Sequence, residues 1–352
     1  MFLIIYLFLI IGCIVFRKNK FMPILSIIFL VALFYIKTDI PDYENYENIY
    51  NYISNGNIYK HIGIGFFYIC KVCSYIIRDF RVFKTIVILI SLIIMNKIAK
   101  HYLEGEDLNT FWSLYLIYSS LLDGIQFRFL LAYTILIFAT IKIFEAKRIK
   151  NKIIGVILVI ISCTIHSSCI FFLFIYALTK GRKQKIIVPF IALIICSFIL
   201  IAREDTINLI QNTISTERIT DYIVQYNSVS IIGMIIYSII LLINASAINS
   251  LSIKLNVDNE KTMLELLKKL NVLMLLIIPL LLFDTNFIAR LIRPIWIINI
   301  LEILNVNKKE KSILKIFKVN INPYIFLYGS AIIYNLIFLT AVSFSTFQRV
   351  LL

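Results

Sequence analysis

The chain has 352 residues, 60% of them hydrophobic, with a mean hydropathy of +0.90. This excludes a soluble globular protein, in which about 45–50% of residues are apolar. A formal charge of +15 would suit a nucleic-acid binder, but the lysines fall in short segments between apolar runs, where membrane orientation explains them with no nucleic acid as partner.

Apolar runs of about 15–25 residues recur along the whole length and lack the alternation of a β-barrel. They predict an all-α polytopic membrane protein with about ten to twelve transmembrane helices, residues 1–352 forming a single domain. The run at 1–16 has no positive residues before it and RKNK (17–20) after it, the reverse of a signal peptide. It is read as a first span with its N-terminus outside. A second span (21–36) leads to an outer loop, 37–61. Four apolar stretches follow, at 62–77, 85–99, 111–122 and 128–144, before the lysine-rich loop 145–152. If all four crossed, KRIKNK would lie outside, against its charge. The stretch 62–77 is short and carries Lys71, so it is expected to be a re-entrant or surface-lying helix packed on protein.

The run 153–178 lies between two lysine clusters, KRIKNK and KGRKQK (loop 180–185). That parity predicts a hairpin of two half-length helices, its tip at Thr164-Ile165-His166-Ser167-Ser168. Broken helices of this kind hold substrates in other membrane proteins. By alternation, 186–202 exits, 203–228 is an outer loop and 229–248 returns. Loop 249–270 is cytoplasmic and ends in an amphipathic helix; 271–283 exits, an outer turn holds Asp284 to Arg293, and 295–304 returns. Loop 305–318 is cytoplasmic and 323–342 exits. Six cysteines (Cys13, Cys70, Cys73, Cys163, Cys169 and Cys196) all lie in apolar runs. Cys70 and Cys73 are spaced like half a zinc site with no second half, so all six are read as small buried apolar residues.

Arginines are sorted differently from lysines. Most stand at the edges of apolar runs, among them Arg78, Arg81, Arg128, Arg290, Arg293 and Arg349. On this topology they face the outer side, where orientation does not call for them, and a guanidinium fork suits phosphate or carboxylate. Four groups stand out. Asp42, Tyr43, Tyr46 and Tyr50 are spaced to share one helix side, although an aromatic belt at the headgroup level accounts for tyrosines alone. Arg128 opens an apolar helix on the outer side, against the orientation bias, which points to function; snorkelling to the interface is the alternative. His166 lies at the hairpin tip; an ionisable group inside a span points to function, a packed histidine being the alternative. Arg290 and Arg293 are i, i+3 neighbours that repel unless an anion joins them or an acid such as Asp284 pairs with them.

The pattern Asp42-Tyr43-x-x-Tyr46, then Gly65-Phe66, then Arg128 leading Phe129-Leu130-Leu131-Ala132, then His166-Ser167-Ser168, then Arg290 resembles the EpsG family. That family contains Wzy-type polymerases of O-antigens and other bacterial surface polysaccharides. The likeness runs in order over most of residues 37–300. Two positions depart from it: Gly63-Ile64 stands where members often have an acid and a proline, and Phe129 where they often have glutamine. The resemblance implies oligosaccharide repeat units on undecaprenyl diphosphate as substrates, polymerised at the periplasmic face of the bacterial inner membrane. It implies a chain-length regulator and a flippase of the same pathway as partners; no metal-ligand cluster is evident in the sequence, and no cofactor is expected. Arg128, Arg290 and Arg293 would then bind the diphosphate, with Arg128 also stabilising charge in the transition state. His166 or Asp42 would handle the acceptor hydroxyl, and Tyr43 and Tyr46 would meet sugar or lipid. Rival readings are a glycosyltransferase adding single sugars from a polyprenyl monophosphate, with Asp39 and Asp42 as its acids, and a flippase or transporter of the same glycolipid.

Overall fold

Helix α6 (Gly105–Tyr118) is the axis of the molecule. From Asp107 to Tyr118 every side chain except Ile117 is buried, because helices surround it. These are α1 (Phe2–Val15), α2 (Met22–Ile36), α12 (Thr285–Glu310) and α13 (Pro323–Val342). The computed structural model describes residues 1–59, 62–145, 148–170, 231–251, 258–275, 285–310, 314–316, 319–342 and 344–351.

Burying a polar group costs free energy unless it is hydrogen-bonded, and several of those on α6 bond to its neighbours. Asn109 Nδ2 donates to the carbonyls of Phe16, Arg17 and Asn19, at 3.0, 2.8 and 2.9 Å, closing the frayed end of α1. Trp112 Nε1 donates to Asn96 at 3.2 Å, and the Tyr324 hydroxyl donates to Asp107 at 2.9 Å. Ser113 and the Tyr328 hydroxyl lie 2.6 Å apart.

Outside this axis the pattern inverts. Ile4, Phe8 and Ile11 of α1, Ile24 and Ile28 of α2, and Ile332, Ile333 and Leu336 of α13 are exposed. So are Ile153, Ile157, Ile160 and Ile161 of α9 (Ile149–Ile165). Aliphatic surface on this scale belongs against lipid. Among the described residues, α5 (Phe80–Tyr102) and α8 (Phe127–Phe144) are long and apolar enough to cross a membrane. At 23 residues α5 extends about 35 Å, and Asp79 caps it by accepting from the Arg81 N–H at 2.7 Å.

Two irregularities fall where the apolar pattern predicts them. Helix α4 (Ile64–Ser74) has eleven residues and reaches about 16 Å, too little to cross a bilayer. It packs between α3 (Tyr43–Ser54) and the end of α9. Gly63 and Gly65 permit that approach: a Cβ at Gly63 would lie 2.5 Å from the Thr164 carbonyl oxygen and 2.6 Å from that of Ile165. Helix α9 stops at Ile165, and a 3₁₀ turn, Ser167–Cys169, follows His166.

Other elements differ from expectation. The span at 111–122 is two helices, α6 and α7 (Ser120–Ile125), broken at Ser119. Arg290 and Arg293 lie inside α12, which starts at Thr285, and not in a turn. Pro294 within that helix lacks the N–H that would bond the Arg290 carbonyl. The loop after α12 holds a two-stranded antiparallel hairpin, β1 (Leu314–Ile316) and β2 (Val319–Ile321), with Lys315 opposite Asn320. Helix α10 (Ile231–Ser250) packs on β1 and on α11 (Asp258–Leu273), the expected amphipathic helix. A short α14 (Phe344–Leu351) ends the chain. The second arm of the 153–178 hairpin, segments 180–185, 186–202 and 203–228, Cys196 and Asp284 lie outside the described residues.

Candidate functional site

Chain direction decides which side chains can meet. Helices α8 and α9 form an antiparallel pair, so the start of α8 and the end of α9 share one end of the bundle. The same end receives the α3–α4 pair and the first turns of α12, which packs on α8 and on the 3₁₀ turn. Arg128, His166, Arg290 and Tyr46 are thereby brought together.

Arg128 is the second residue of α8. Its guanidinium carbon lies 5.8 Å from the ring centroid of Tyr46 and 5.8 Å from that of Phe66, within cation–π reach of both. Phe127 completes this aromatic wall, 5.1 Å from Tyr46 and 5.9 Å from Phe66. The rings cover the inner part of the side chain, and Arg128 Nε is buried with no hydrogen-bond partner. The residue as a whole is half-buried.

Arg290 is in the same state: half-buried, its Nε buried and unpartnered. Neither Arg128 nor Arg290 has an ion pair among the described residues. His166 is buried at the same end of the bundle, and the charges of Arg128, Arg290 and Arg293 all act on it. Its Nδ1 accepts from the Ser168 N–H at 3.2 Å, so the ring is neutral with its hydrogen on Nε2. Phe129 meets the ring edge-on at 5.0 Å.

Arg293 departs from the expected diphosphate contact. It is fully buried, and its Nη1 donates to Asp123 at 2.7 Å while its Nη2 donates to Gln126. The other Asp123 oxygen accepts from the Tyr133 hydroxyl at 2.5 Å, and Phe129 lies under the guanidinium at 4.9 Å. A fork so engaged holds α12 against α7 and α8, one helical turn from Arg290. The acid that neutralises it is Asp123. Sequence reading missed Asp123, Gln126 and Tyr133, though a carboxylate inside the apolar run SSLLDGIQF was a usable signal. Gly124 belongs to the same turn, because the Phe34 ring occupies the space a Cβ would need.

The tyrosines of α3 divide. Tyr46 faces Arg128, whereas Tyr43 is buried with its ring 5.2 Å from Phe80 and 4.5 Å from Lys84 Nζ. Tyr50 stacks on Phe83 at 4.5 Å and donates to the Ile77 carbonyl at 2.5 Å. Tyr43 therefore braces α3 against α5 instead of presenting its ring to a substrate. Lys84, buried, also donates to the Lys37 carbonyl at 3.2 Å. Asp42, just before α3, is exposed with φ at 65°, in the left-handed region that aspartate tolerates better than most residues. Its side chain makes no cap hydrogen bond.

Two guanidinium groups without carboxylate partners among the described residues, a neutral imidazole and a wall of rings suit an anion with an apolar or sugar neighbour. The EpsG family model matches residues 20–348, nearly the whole chain and all of these side chains. The protein belongs to the EpsG family. Membership makes it a polysaccharide polymerase-like membrane protein. No curated protein and no solved structure matches this EpsG-family chain.

Proposed function

We propose that this EpsG-family protein polymerises lipid-linked oligosaccharide repeat units of an O-antigen or similar surface polysaccharide. The growing chain moves from undecaprenyl diphosphate to the next unit, at the periplasmic face of the bacterial inner membrane. The observation that carries this reading is that Arg128, His166 and Arg290 share one end of the bundle, each arginine with a buried Nε that has no hydrogen-bond partner among the described residues.

In the transfer, an acceptor hydroxyl oxygen bonds to the anomeric carbon of the donor's innermost sugar. The bond from that carbon to the diphosphate oxygen breaks, and the diphosphate leaves with the electron pair. Arg128 and Arg290 bind the diphosphate and stabilise the charge that grows on it. Tyr46, with Phe66 and Phe127 behind it, offers a ring surface to the sugar or lipid beside the diphosphate. His166, with hydrogen on Nε2, donates to a substrate oxygen. The hydroxyl proton then goes to Asp42, whose carboxylate is exposed and one helical turn before Tyr46. Arg293 positions the site through Asp123 and Gln126.

A lipopolysaccharide gel of cells carrying Arg128→Ala or Arg290→Ala tests the proposal. Expected is full membrane expression with surface polysaccharide cut to a single repeat unit. Arg128→Lys recovers little, since a point charge cannot reproduce the fork. Normal ladders in all three variants overturn the arginine site. Loss of even the single unit indicates a flippase, and single-sugar addition by purified protein indicates the monophosphate-dependent transferase.

A further inference from the structure

At the end opposite the arginines, α5, α8 and the first turn of α9 enclose a cavity of about 250 Å³. Ile98, Phe138 and Ile141 form its apolar lining, and Lys97, His101, Lys142 and Glu145 its polar rim. The one carboxylate there is already held: Glu145 lies 2.8 Å from His101 Nε2 and accepts from the Tyr102 hydroxyl. Lys142 is half-buried with its ammonium 5.4 Å from the Phe138 ring centroid. Lys97 is exposed and has no ion pair among the described residues. Two ammonium groups thus border one mouth with a single, engaged acid between them.

What lies below the rim chooses the ligand. On the α5 face of Lys97, Ile93, Ile90 and Ile86 follow one, two and three turns away, all exposed. On α9, Ile154 lies exposed one turn from Asn151, which also lines the cavity. A cationic rim above an aliphatic stripe matches a molecule with an anionic head and a hydrocarbon tail. A soluble anion would meet the rim and leave the stripe unused. We infer that this cavity seats the phosphate headgroup of an anionic phospholipid, with an acyl chain along Ile93, Ile90 and Ile86. The site is separate from the transfer chemistry and does not rest on it.

Purified full-length protein in neutral detergent is titrated with short-chain phosphatidylglycerol, phosphatidylcholine and glycerol 3-phosphate, and bound ligand is counted by native mass spectrometry. Expected is saturable phosphatidylglycerol binding that the other two neither match nor displace. The double variant Lys97→Gln, Lys142→Gln should weaken it by about tenfold or more. Lys100→Gln, on α5 but outside the cavity, should leave it unchanged. If the double variant fails to fold, Lys97→Gln at an exposed position is read alone, with several-fold weakening expected. Unchanged affinity in the lysine variants, equal affinity for phosphatidylcholine, or displacement by glycerol 3-phosphate would each overturn the assignment.

Discussion

The two ends of the bundle carry positive charge in opposite ways. At the lysine end, two of the charges sit in water next to acids: Lys18 lies 3.7 Å from Glu106 and Lys308 3.4 Å from Glu104, with most of these side chains exposed. At the other end, Arg128 and Arg290 are half-buried against rings and helices, and each keeps a buried nitrogen without a partner. A buried donor left unpaired is costly, and the proposed diphosphate would supply the missing acceptors at this end. Arg293 is the internal control. It shares a helix with Arg290 but has its acid, and it lies fully inside. Charge alone does not mark the site; charge without a partner, in a place water reaches poorly, does.

The comparison breaks most sharply at Arg293. Arg293→Met leaves Asp123 buried without its counter-charge, and should cost about 3–5 kcal/mol of stability. The double variant Asp123→Leu, Arg293→Met should recover most of that loss. Unfolding midpoints in detergent would show both. A single variant as stable as the parent but unable to polymerise would move Arg293 from scaffold to substrate. Next in size are Arg128→Ala and Arg290→Ala, expected to slow turnover about 10²–10³-fold with the unfolding midpoint unchanged. A parallel fall in stability would make them scaffold, like Arg293.

This division was partly legible in the chain. Positions of Arg128, His166 and Arg290 at one end follow from counting spans between lysine clusters, since each crossing reverses the side. The short α4 and the break at His166 were legible too, because Gly63, Gly65, Lys71 and the polar Thr164–Ser168 stretch interrupt apolar runs. The partner of Arg293 was not. Asp123 lies 170 residues away in sequence, and its pairing depends on how α7 and α12 pack. Nor was the split between Tyr43 and Tyr46, which the positions of Phe80 and Lys84 on α5 decide. Spacing puts residues on one face; only packing tells which of them the neighbouring helix covers.

A smaller effect tests how that packing holds the site. Gly63→Ala would push a methyl group into the carbonyls of Thr164 and Ile165, backbone atoms that cannot rotate away. A cost of about 1–3 kcal/mol is expected. His166 follows directly, so activity should fall further than stability does, measured as polymer formed per folded protein. Tyr46→Leu should be milder still. It removes one ring contact of about 0.5–1.5 kcal/mol, raising KM for the lipid-linked unit several-fold. If Tyr46→Leu lowered kcat alone, the ring would act in the transition state and not in binding.

The smallest effect belongs at the lysine end. Lys18→Gln and Lys308→Gln each remove one member of a solvent-exposed pair whose attraction water and salt already screen. Unfolding midpoint, polymer length and turnover should all stay at parent values. Both ends carry positive charge, and only one is proposed to hold the diphosphate. Suppose either lysine variant shortened the polymer while the protein stayed folded and correctly oriented. The lysine end would then take part in the reaction, and pairing would no longer separate structural charge from functional charge. Unchanged ladders beside the loss in Arg128→Ala would mean that a cation's effect on the polymer depends on whether the fold has left it a partner.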